Sequence, residues 1–159
     1  MYRSLAPILA CCLALIGAGC SSAPSVRDVD RLDPSGFRNL IEGLAADWNA
    51  GDARAAADRF TENAVYVEPP KKQVYIGRER LFRFFGGDQG RAGAMQMRWN
   101  RVVFDPDRQQ GMAEFSFRYG TQVHGVAIID VRDGRIAQWR EYWYASELPF
   151  EDFVAPGTP

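Results

Sequence analysis

Two periods of apolar residues divide the chain. Phe37, Leu40, Ile41, Leu44, Ala45 and Trp48 recur at spacings of three and four, which gathers them on one stripe of a helix. Asp33-Pro34-Ser35 supplies the start of that helix and Gly51 its stop. Asp52 can cap a short second helix over residues 53–60. A strand is predicted over 64–68, halted by Pro69-Pro70, and 71–77 reads as a loop with a short extended piece. Leu81, Phe82, Phe84 and Phe85 give a third helix, 78–85, a heavy apolar load. Past Gly86-Gly87 the period changes to two, with strands predicted over 96–104, 112–119, 122–132 and 135–144. Asp105-Pro106-Asp107 and Gly120 mark turns, and Asp133-Gly134 is a strong hairpin signal. Helices followed by a run of antiparallel strands define an α+β class with the helices on one face of the sheet.

Composition narrows the picture. A length of 159 residues gives room for one domain with a tail, and 47% hydrophobic against 25% charged residues is a globular balance. Nineteen basic residues face 20 acidic ones, so the basic excess of a nucleic-acid binder is missing and no such partner is expected. With one His and three Cys, neither a disulfide scaffold nor a multi-histidine metal site is expected, and no cofactor motif is present.

The first residues read as an address. Arg3 precedes an apolar stretch over 5–18, the length of a signal-peptide core and short for a membrane span. It ends in Gly17-Ala18-Gly19-Cys20-Ser21-Ser22, which resembles a bacterial lipoprotein signal, although Gly17 stands where such signals usually carry Leu. The resemblance implies cleavage before Cys20, lipid on its sulfur, and removal of Cys11 and Cys12 with the leader. A plain secretory signal cut nearby is the alternative. The expected layout is a signal over 1–19, a polar tether over 20–33, a domain over 34–148 and a loose tail over 149–159 with a few apolar contacts from Phe150 and Phe153. The expected location is the bacterial cell envelope, with the domain facing the periplasm and the membrane reached through Cys20.

Trp48-Asn49-Ala50-Gly51-Asp52 is followed by Phe60, Ala64-Val65-Tyr66-Val67-Glu68-Pro69 and Gly77-Arg78-Glu79. Asp133-Gly134-Arg135-Ile136 and Trp139-Arg140-Glu141-Tyr142-Trp143 complete a series that resembles SnoaL-like proteins of the nuclear transport factor 2-like superfamily. The resemblance covers about residues 36–146. It implies a cone-like curved antiparallel sheet packed on about three N-terminal helices, with an internal apolar pocket. It implies no particular reaction, because the superfamily holds enzymes of several kinds and non-catalytic members.

Two carboxylates are candidates for chemistry. Glu68 ends a strand before two prolines and shares a face with Tyr66. The resemblance to ketosteroid isomerases places their base at Glu68, yet their oxyanion-binding positions fall on Leu44 and about Val126, so their mechanism is not expected. Glu68 could instead be an exposed carboxylate paired with Lys71 or Lys72. Glu141 alternates with Trp139 and Trp143 on one face of the last strand. Desolvation between two indoles would raise its pKa and suit it to acid or base work near neutrality. Limonene-1,2-epoxide hydrolase resembles this segment, with its catalytic Asp matching Glu141. The Arg-x-Asp pair of that enzyme has no counterpart near Ala113-Glu114-Phe115-Ser116. A structural ion pair from Glu141 to Arg101 or Arg118 is the alternative.

The remaining candidates are ligand contacts. Tyr66, Trp48, Trp99, Phe115, Phe117, Trp139 and Trp143 are core residues first, and some of them must line any cavity. His124 is the sole histidine; alternation along its strand turns it away from the core, while the two relatives give opposite faces. These readings support an envelope lipoprotein that binds a small, largely apolar molecule, with acid–base chemistry available through Glu68 and Glu141. The rival is a non-catalytic structural or accessory subunit that forms a homodimer through the outer sheet face at Gln138, Arg140, Tyr142 and Tyr144.

Overall fold

The computed structural model describes residues 31–154. The proposed signal, Cys20 and most of the proposed tether lie outside the described residues. Helix α1 spans Pro34–Ala50. Asp33 caps it by accepting the Gly36 N–H at 2.6 Å, and Pro34 occupies the first turn, where its missing N–H is not needed. Gly51 ends the helix at φ 73°, a left-handed conformation, and its N–H returns to the Asp47 and Trp48 carbonyls. The sequence stripe is the buried one: Phe37, Ile41, Leu44, Ala45 and Trp48 all face the core. Asp52 caps helix α2, Ala53–Asp58, by accepting the Ala55 N–H at 2.9 Å.

Strand β1 runs Phe60–Glu68, longer than predicted at its start. Phe60, read as the end of the second helix, instead pairs with Ile136 and is fully buried. The polar run Thr61-Glu62-Asn63 hid this part of the strand, because a segment that is largely solvated leaves no period-two signal. A 3-10 turn, Pro69–Lys71, leads into β2, Gln73–Ile76, which folds back antiparallel on β1. Helix α3, Arg78–Phe84, follows. The long strands are β3 (Gln96–Asp105), β4 (Gln110–Tyr119), β5 (Thr121–Arg132) and β6 (Arg135–Ala145). Asp133 and Gly134 both take positive φ, 51° and 69°, as the tight β5–β6 hairpin requires.

The six strands form one sheet in the order β2-β1-β6-β5-β4-β3. The expectation of an antiparallel sheet needs correction, because β1 pairs with β6 in parallel and the sheet is mixed. Alternation fixes which face a side chain occupies but carries no information on the direction of the neighbouring strand. The inner face packs on α1, where Phe37 stacks on Phe104 with centroids 4.4 Å apart.

Within the described part of the expected tail, Phe150 and Phe153 make apolar contacts. Helix α4, Phe150–Phe153, folds onto the outer face of the sheet. Arg118 pairs with Glu147 at 3.0 Å and Arg98 with Glu151 at 3.2 Å, while Gln122 donates to the Ser146 and Leu148 carbonyls. Among the described residues no helix is long and apolar enough to cross a membrane.

Candidate functional site

A cavity of about 410 Å³ opens between the inner face of the sheet and the helices. Each long element contributes to it. Trp48 comes from α1, Tyr66 and Glu68 from β1, Phe115 and Phe117 from β4, and Glu141 and Trp143 from β6. The parallel register explains why the two glutamates meet. Tyr66 pairs with Trp139 and Val67 with Arg140, so Glu68 continues beside Glu141 on the same face. Two carboxyl side chains, both less than a tenth exposed, thereby share one apolar cavity.

Glu141 is held by its own strand. The Trp139 indole N–H donates to Oε2 of Glu141 at 2.9 Å, across the two-residue repeat that puts both on one face. An indole N–H only donates, so Oε2 is an acceptor, and a proton on the carboxyl belongs on Oε1. Burial is the chief cause that pushes the Glu141 pKa up to about 7. The charge of Glu68 adds to the rise, while the Trp139 N–H and the Tyr66 hydroxyl oppose it by favouring the carboxylate. Glu68 is also raised, again chiefly by burial, against the opposing pull of Lys71, Glu141 and Arg91. Burial pushes the Tyr66 hydroxyl well up, helped by the charges of Glu141 and Glu68, so it stays a proton donor. The two carboxyls titrate as a pair and near neutrality hold a proton that lone glutamates would have lost.

Glu68 is buried, not an exposed strand end, and no Lys nitrogen of the described residues lies within 4.0 Å of its carboxylate. Arg101 and Arg118 pair with Glu114 and Glu147 rather than Glu141. Of the proposed aromatic contacts, Trp48, Tyr66, Phe115, Phe117 and Trp143 line the cavity. Trp139 and Trp99 do not. Trp139 is fully buried and packs edge-on against Trp48, with its N–H directed to Glu141. Trp99 packs on Phe115 and donates to the Ile41 carbonyl at 2.8 Å, which ties β3 to α1.

His124 also leaves the cavity. It lies on the opposite face of the sheet, where Phe153 stacks over it and Phe150 packs beside it. Its Nδ1 meets Ser116 Oγ and its Nε2 the Leu148 carbonyl, both at 2.9 Å. A carbonyl only accepts, so Nε2 carries a proton. The outward alternation of His124 is thus real, but the chain end covers it. Sequence reasoning missed Arg91 and the two methionines Met95 and Met97, which close one side of the cavity. Arg91 lies in the glycine-rich stretch 86–93, which has no period to assign it a direction. Among the described residues no group of three His, Cys, Asp or Glu side chains is placed to hold a metal.

The helices on a curved mixed sheet, with a cavity between, form a nuclear transport factor 2-like fold. Solved structures share it. An NTF-2 like protein of unknown function from Burkholderia xenovorans superposes with a TM-score of 0.61 at 19% identity, over 85% of this chain and all of that one. A putative ketosteroid isomerase from Kribbella flavida gives 0.61 at 20% identity, covering 80% and 93% of the two chains. An LEH-like epoxide hydrolase from M. tuberculosis gives 0.60 at 20% identity, covering 70% and 84%. No curated protein matches the chain in sequence. The SnoaL-like domain model matches residues 41–139, and the chain belongs to that family.

Proposed function

We propose that this domain binds a small, largely apolar molecule in the cavity and performs acid–base chemistry on it. The observation that carries this reading is the buried Glu68–Glu141 pair inside an apolar cavity of ligand size. Glu141, protonated to about neutral pH, gives a proton to a substrate oxygen; Glu68, the carboxylate of the pair, accepts one from the substrate or from water. Structures of the same fold include a putative ketosteroid isomerase and an LEH-like epoxide hydrolase, which suits small-molecule chemistry without choosing the reaction.

Intrinsic tryptophan fluorescence tests the reading. The purified protein is titrated with terpenes, sterols, fatty acids and aromatic polyketides, and Trp48 and Trp143 report from the cavity wall. Saturable quenching by one class is the expected result. Silence across the panel, from protein that melts cooperatively, would overturn it. Once a ligand class is found, Glu68→Gln and Glu141→Gln should each abolish turnover, and Glu141→Gln should leave binding within about threefold.

Export and anchoring through Cys20 belong to the same proposal, supported by the leader pattern alone. Cys20→Ser should move the protein from the membrane to the soluble fraction of an expressing bacterium, and an unchanged distribution would sink the anchor.

An accessory-subunit role has one observation in its favour. Val103, Met112, Tyr142 and Tyr144 are exposed on the outer sheet face, and register joins Val103 to Met112 and Met112 to Ile128 across neighbouring strands. That apolar band suits a homodimer. Sedimentation should show a dimer that Tyr142→Arg dissociates; a monomeric parent would dismiss it.

A further inference from the structure

We propose that the ligand is a small organic monoanion, an apolar body bearing one carboxylate-like group, with that group received by Lys71 and Arg91. This narrows, and rests on, the ligand reading above. Both cations line the cavity. Each is held against aromatic rings: Lys71 Nζ lies 5.2 Å from the Trp143 centroid, and the Arg91 guanidinium carbon 5.0 Å from Phe84 and 5.3 Å from Tyr119. Ring faces attract a cation but leave its hydrogen-bonding capacity unused.

That capacity is left open here. Arg54, Arg59, Arg98, Arg101 and Arg118 each have a carboxylate partner within 4.0 Å, whereas among the described residues Lys71 and Arg91 have none. Arg91 gives one N–H to the Phe84 carbonyl. Its Nε is buried and finds no acceptor among the described residues. A buried donor without a partner is unfavourable, and a guanidinium presents its N–H groups as a planar fork that suits a carboxylate.

Charge balance gives the same answer. Glu68, Glu141, Lys71 and Arg91 line one cavity. While the carboxyl pair retains one proton, these four side chains sum to a single positive charge. A monoanion neutralises it, a neutral ligand leaves it, and a cation adds to it. Beyond the charged groups the walls are apolar, with Met95, Met97, Phe115, Phe117 and Val123 available to an alicyclic or aromatic body.

The test holds the body constant and varies the charge. Adamantane-1-carboxylate, the neutral adamantane-1-carboxamide and 1-adamantylammonium are titrated against the full chain by calorimetry. Decanoate and decanamide repeat the comparison on a flexible body. The carboxylate should bind about tenfold or more tightly than its amide, with the ammonium weakest. Arg91→Gln and Lys71→Gln should each erase most of that preference, read as the ratio of acid to amide affinity within each variant. Arg91→Lys should keep part of it, because charge remains while the fork is lost. Amides that bind as tightly as the acids, or a preference unmoved in both Gln variants, would overturn the proposal and leave the ligand reading intact. If no compound of either body binds, the ligand reading fails with it.

Discussion

Gly125→Ala is expected to cost more than about 3 kcal/mol and to leave much of the expressed protein insoluble. Gly125 lies mid-strand in β5, opposite Phe115 on one neighbour and Trp143 on the other. A Cβ there would stand 2.4 Å from the Tyr142 carbonyl oxygen, 2.7 Å from Phe115 Cζ and 2.8 Å from Trp143 Cβ. The oxygen and the Cβ belong to the paired strand, so no rotamer change relieves them. Accommodation requires β5 and β6 to part, and Phe115 to swing into the cavity that it lines as well. Gly120→Ala is the control. Its φ of 76° strains any side chain, but a Cβ meets nothing within 4 Å, so its cost should be about 1 kcal/mol. Urea unfolding of both variants checks the pair. A Gly125→Ala midpoint at or above that of Gly120→Ala would mean that the sheet opens freely beneath Phe115.

The same neighbourhood shows what a sequence can and cannot carry. The stripe of α1 and the alternation of β4 to β6 were legible because each has one buried and one solvated face, which is the condition for a clean period. Alternation also put Glu141 between two indoles on one face. It could not say that one indole turns its N–H back to the carboxylate while the other lines the cavity, since that depends on whether α1 or open space lies opposite. The meeting of Glu68 with Glu141 needed the direction of the β1–β6 pairing, a relation between segments some seventy residues apart that no local pattern encodes. Arg91 was illegible for a different reason. Gly86, Gly87 and Gly90 take positive φ, and such a backbone aims its side chains by turn geometry rather than by period. The face of His124 stayed open, because alternation pointed it outward while the two relatives disagreed; its burial comes from Phe150 and Phe153, whose apolar contacts were expected but whose target no local pattern names.

Glu141→Gln should make the protein more stable at about pH 8, by about 3 kcal/mol, and change little at about pH 4. The native pKa of Glu141, about 7, lies above the ordinary 4.5 that the unfolded chain restores. Between those values the native state binds more protons than the unfolded state, so stability falls as pH rises through the window. The full penalty is present above about 7 and absent below 4.5. A glutamine abolishes it by shape and charge together. Its carbonyl oxygen can accept from the Trp139 N–H, as the Glu141 carboxyl does. Paired urea titrations at the two pH values measure the effect, and a melting midpoint about 10 °C higher at pH 8 is the corresponding thermal result. Equal gains at both pH values would assign the effect to packing. No gain at pH 8 would mean that water reaches the carboxyl and that it ionises as an ordinary glutamate. A site that is costly to ionise and still keeps two carboxyls is what acid–base work near neutrality requires, and the same substitution that stabilises the domain should therefore silence it.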